Sequence, residues 1–93
     1  MPAYVCTQRE RLIAKDEPAP EGLEVFRMYP KTEISVVDGP VCGEDFNWWQ
    51  IKVPWGTEVY YSGVGDERLA RDEIVWVREG SDSVDPYYIC PLK

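Results

Sequence analysis

Histidine is absent from the 93 residues of this chain. That removes the usual general base and the commonest metal ligand. Catalytic sites of the Ser-His-Asp and Cys-His kinds cannot be assembled from it. Cysteine is scarce and odd in number. Cys6, Cys42 and Cys90 lie 36 and 48 residues apart and match no CxxC metal spacing. At least one thiol stays free unless two chains cross-link. Cations are outnumbered, 10 Lys and Arg against 17 Asp and Glu, for a net charge of −7. Phosphate repels such a surface, so nucleic acid is not expected as a partner. No apolar run approaches membrane-spanning length, and no membrane span is expected. The residues after Met1 lack the apolar stretch of a secretory leader. The expectation is therefore a cytoplasmic protein or a piece of a longer secreted one. No phosphate-cradling glycine loop is visible, and no cofactor is expected.

What is present points to a folded β domain. Hydrophobic residues make up 44% and aromatics 13%, too much of both for a disordered tail. The length suits one domain over residues 1–93. Short strand-like runs alternate with turn residues: Ala3 to Thr7, Leu12 to Lys15, Leu23 to Met28, Glu33 to Val37, Asn47 to Val53, Thr57 to Tyr61, Ile74 to Arg78 and Tyr87 to Cys90. Pro18, Pro20 and Gly22 mark a loop, and Asp38-Gly39-Pro40 is expected to end its strand. The strongest run is Asn47-Trp48-Trp49-Gln50-Ile51-Lys52-Val53. Its alternation puts Trp49, Ile51 and Val53 on a core face and Trp48, Gln50 and Lys52 on the other. Residues 62–73 are charged and glycine-containing, and read as a loop or a single helical turn.

Several segments, in order, resemble bacterial SH3-like domains. Leu12-Ile13-Ala14-Lys15-Asp16-Glu17-Pro18 keeps the leucine, basic residue and proline of the family's first motif. Gly39-Pro40-Val41-Cys42 followed by Trp48-Trp49-Gln50-Ile51 resembles one branch's Gly-Pro-Val-Cys … Trp-Trp stretch. Val75-Trp76-Val77-Arg78-Glu79-Gly80 is similar to the family's Gly-Trp-Val-x-Glu-Gly, and Tyr87 to Leu92 to its closing aromatic strand. The chain departs where residues 54–74 replace a tight hairpin. The resemblance implies an all-β, small SH3-like barrel of five to seven short antiparallel strands with one charged loop insertion.

It also implies a non-enzymatic interaction module that binds a protein or peptide partner through an exposed aromatic surface. The expected ligand-binding residues are Trp48, Trp55, Tyr60, Tyr61 and Tyr87. Trp48 should stand outward, because flat aromatics give large contact area at low entropic cost. Cell-wall peptide is a second ligand class of the family. A stand-alone acidic inhibitor of a host protein, of the kind a phage encodes, fits the size and charge equally. Cys6 and Cys90, or Cys42 and Cys90, are candidate disulfide partners, with buried free thiols as the alternative.

Overall fold

A computed structural model describes residues 1–7, 9–43, 46–80 and 88–92. Among them are nine strands: β1 (Pro2–Val5), β2 (Leu12–Lys15), β3 (Glu24–Met28), β4 (Glu33–Gly43), β5 (Phe46–Val53), β6 (Glu58–Tyr61), β7 (Gly65–Arg68), β8 (Glu73–Arg78) and β9 (Ile89–Pro91). They form one antiparallel sheet in the order β7-β6-β3-β2-β8-β5-β4-β1-β9. The sheet curls into a half-barrel. It is all-β as expected, with more strands than the five to seven expected.

The curl is dictated by alternation. Leu12 and Ala14 of β2, Phe26 and Met28 of β3, Ile51 and Val53 of β5, and Val75 and Val77 of β8 are all buried on the concave face. Each fully buried Val, Ile, Met or Phe contributes about 1.5–3 kcal/mol relative to exposure. With no helix among the described residues to pack against, a sheet this size covers its apolar face by bending onto itself.

Two expectations about strand ends are corrected. Asp38-Gly39-Pro40 does not stop a strand; β4 runs on to Gly43 with register shifts between Val36, Asp38 and Val41. Gly39 makes this bend, with φ of 112° and a cis peptide to Pro40. A Cβ there would lie 2.9 Å from the Trp48 carbonyl oxygen, so the strand crosses too close for any side chain. The charged insertion is likewise not a simple loop. Gly65–Arg68 pairs with β6, and Leu69 just beyond it is only 4% exposed and joins the core.

Cys6 and Cys90 form a disulfide across 84 residues, and Cys42 is an exposed free thiol. The bond joins the chain next to β1 to β9, which pair with Tyr4 opposite Cys90.

Candidate functional site

The convex face of the β2-β8-β5 strip carries large side chains outside the core cluster, Trp48 and Trp76 among them. β5 and β8 pair with Trp48 opposite Arg78 and Gln50 opposite Trp76. Their neighbours Trp49 and Val77 face the core, so Trp48 and Arg78 face away from it. On β2, Ile13 and Lys15 project the same way, because Leu12 and Ala14 are buried inward.

Trp48 is nevertheless only 3% exposed, and the expectation of a solvent-facing platform is corrected. Thr7, Glu10 and Arg11, between β1 and β2, lie along this face. Thr7, itself buried, donates from Oγ1 to the Glu10 carbonyl at 2.6 Å. Tyr88 closes the far side. Between these walls lies a cleft of about 320 Å³ with Trp48, Leu12 and Ile13 as its apolar lining.

Cations rim the cleft. The Arg78 guanidinium lies 4.3 Å from the Phe46 ring centre and 5.7 Å from that of Tyr88, and donates to the Tyr88 hydroxyl at 3.2 Å. Arg11 sits 3.9 Å above the Tyr60 ring. Lys15 donates from Nζ to the carbonyls of Pro20 (2.7 Å) and Gly22 (3.2 Å), tying down the loop after β2. Asp16 Oδ1 accepts from the Leu23 backbone at 2.8 Å in the same loop. Arg11, Lys15 and Arg78 face one carboxylate, Glu10, among the described lining residues.

Trp55 stands elsewhere and is 73% exposed. Its turn is pinned from several sides by the insertion. Asp72 Oδ1 accepts the Trp55 backbone N–H at 2.8 Å, and Lys52 pairs with the same carboxylate at 3.4 Å. The Gly56 N–H donates to Leu69 O at 2.8 Å, Leu69 N–H to Thr57 O at 3.0 Å, and Arg68 to Gly56 O at 2.9 Å. The Trp55 backbone donor first, and Lys52 after it, hold the Asp72 pKa below its ordinary value against desolvation, which acts upward. Trp55 borders a wide, shallow groove with Tyr29, Lys31 and Glu33. The Tyr29 hydroxyl donates to Asp66, which raises its pKa.

The aromatic surface expected from the sequence is therefore divided. Tyr60 is half-buried beneath Arg11 and does not line the Trp48 cleft. Tyr61 turns toward the core, edge-on to Phe26 at 6.0 Å, and desolvation raises its pKa first, with Glu73 and Glu67 adding to it. Tyr87 lies outside the described residues. Trp48 and Trp55 line different concavities. Sequence reasoning missed Arg11, Ile13, Lys15 and Arg78. The alternation of Leu12-Ile13-Ala14-Lys15 did carry a signal for Ile13 and Lys15. Arg78 needed the β5–β8 register, which pairing across 30 residues decides.

Among the described residues no group of three His, Cys, Asp or Glu is placed to hold a metal ion, and no helix is long and apolar enough to cross a membrane. Comparison with protein-family models, with curated proteins and with solved structures returns no match for this chain.

Proposed function

We propose that this chain is a non-catalytic, SH3-like interaction domain that seats a peptide segment of a protein partner in the Trp48 cleft. The cleft itself carries the reading. Its apolar surface is chiefly the half-buried Ile13, beside the nearly covered Trp48, within a small ring of polar groups, and its volume of about 320 Å³ is at the lower end for ligand sites. Its walls are preorganised by hydrogen bonds within the loops at residues 7–10 and 16–23. Preorganised walls reduce the entropy lost on binding.

Selection of a random peptide display library on the full chain tests this. Peptides that bind should shift the NMR signals of Ile13 and the Trp48 indole, and Ile13→Glu should abolish their binding. No enrichment, or shifts confined to other surfaces, refutes it. Sedimentation with peptidoglycan tests the cell-wall ligand class in parallel.

Trp55 favours a second reading, the stand-alone inhibitor. An exposed Trp on a turn bonded to Leu69, Arg68 and Asp72 suits insertion into a pocket on a partner protein. In that case Trp55→Ala abolishes partner binding, while Ile13→Glu leaves it intact.

A further inference from the structure

The charge of the cleft runs against the charge of the chain. A domain of net charge −7 is expected to attract basic partners. Yet the described cleft lining holds Arg11, Lys15 and Arg78 against Glu10 alone. In a chain with 17 carboxylates, neither Arg11 nor Arg78 forms an ion pair among the described residues. Both are held instead by aromatic faces, Arg11 on Tyr60 and Arg78 on Phe46. Stacking fixes a guanidinium plane while leaving its edge free to donate. Arg78 spends one bond on the Tyr88 hydroxyl, and Arg11 one on the Tyr29 hydroxyl. A guanidinium carries five N–H donors, and a carboxylate takes two of them in a bidentate pair.

The placement of the cations narrows the ligand. Arg11, Ile13 and Lys15 alternate along one side of the strand, with Leu12 and Ala14 on the other. Arg11 and Lys15 are thus separated by about 13 Å of extended chain at the usual rise per residue. Ile13 is half-buried and offers an apolar seat in the same cleft, whose lining includes the nearly covered Trp48. Positive charge spread over that length suits an extended peptide better than a single small anion, because a peptide's alternate side chains share one face at nearly the same spacing.

From these observations we infer that the cleft takes an extended acidic–apolar peptide segment: an apolar side chain against Ile13, and carboxylates on the same face of the peptide reaching Arg11 and Arg78. The inference rests on the cleft being the binding site and adds the ligand's chemistry. Lys15 is already bonded to Pro20 and Gly22, so its role is to supply positive field rather than a direct grip.

The test uses the full chain and a displayed library of random heptapeptides. The expected result is enrichment of Asp and Glu around an apolar residue, relative to the unselected library. Synthetic copies should bind about tenfold more weakly to Arg78→Gln, in line with loss of a charge-assisted bidentate pair. Arg78 packs against Phe46, so its loss can disturb folding. Arg11 is exposed, and Arg11→Gln should weaken binding severalfold in a chain whose NMR spectrum is otherwise unchanged. Arg78→Lys should recover only part of the affinity, since Lys lacks the planar fork. Neutral or basic peptides that shift Ile13 and Trp48 overturn the acidic ligand but leave the cleft as the site. Acidic peptides insensitive to both arginine substitutions overturn it too, because they bind elsewhere. Absence of any enriched peptide overturns the ligand and the site together.

Discussion

The Trp55 backbone N–H donates to the Asp72 carboxylate at 2.8 Å, across 17 residues of chain. This bond is the first cause of the lowered Asp72 pKa, with Lys52 adding to it against the effect of burial. The sign follows from linkage. An unfolded chain takes up that proton near the ordinary 3.8, whereas the folded chain takes it up at lower pH. The bond's contribution is therefore complete above that value and lost as pH falls through the folded pKa. An NMR titration should place the Asp72 carboxyl midpoint below 3.8. Asp72→Asn should speed hydrogen exchange at the Trp55 amide at neutral pH. A midpoint at or above 3.8 shows that the bond does not form in solution.

Leu69 and Leu23 both occur in charged, turn-rich stretches, but Leu69 is 4% exposed and Leu23 is 74% exposed. Leu69→Ala should cost about 2–5 kcal/mol, as for a truncated core leucine. Leu23→Ala should stay within about 0.5 kcal/mol of wild type. Urea denaturation of the two variants checks the contrast. Equal midpoints mean that the insertion is not part of the core.

The tryptophans should separate in the same way. Trp48→Ala should destabilise the domain by about 3–5 kcal/mol, whereas Trp55→Ala should change stability little. Acrylamide should quench the wild type strongly and Trp55→Phe weakly, since Trp55 is the exposed one of the four. A binding defect in Trp48→Ala therefore has to be read beside its folded fraction.

The Cys6–Cys90 bond leaves Cys42 as the one reactive thiol. A thiol-specific reagent should label one cysteine in the native, non-reduced protein and three after reduction and denaturation. Closing a loop of this length stabilises a fold by about 4–5 kcal/mol on the chain-entropy account. Small domains have only about 5–15 kcal/mol in all. Reduction should accordingly lower the melting temperature sharply, and Cys6→Ser should reproduce that shift. An unchanged melting temperature on reduction means that the bond does not constrain the unfolded chain.

Local pattern was enough for most of the strands. β2 was read at its observed limits, and β5 and β8 to within one residue, because alternation of Val, Ile and Trp with polar residues is a property of neighbouring positions. Where the reading failed, the deciding contact was distant. β4 continues past Gly39 because β5 crosses its backbone at Trp48, which a sequence of turn residues does not reveal. β7 exists because β6 supplies its hydrogen bonds, and its own residues Gly65-Asp66-Glu67-Arg68 carry no strand signal.

The candidate site divides along the same line. By itself the sequence determined that Trp48 leaves the core face, since two-residue periodicity fixes the side of a strand. It also determined that Trp55 sits in a turn, between Pro54 and Gly56. Only the tertiary structure decided that Trp48 is covered and Trp55 is bare. Covering depends on the segment before β2 and on Tyr88, brought there by pairings across 30 residues and more. The same long-range register placed Arg78 beside Trp48 and gave an acidic chain a cationic cleft.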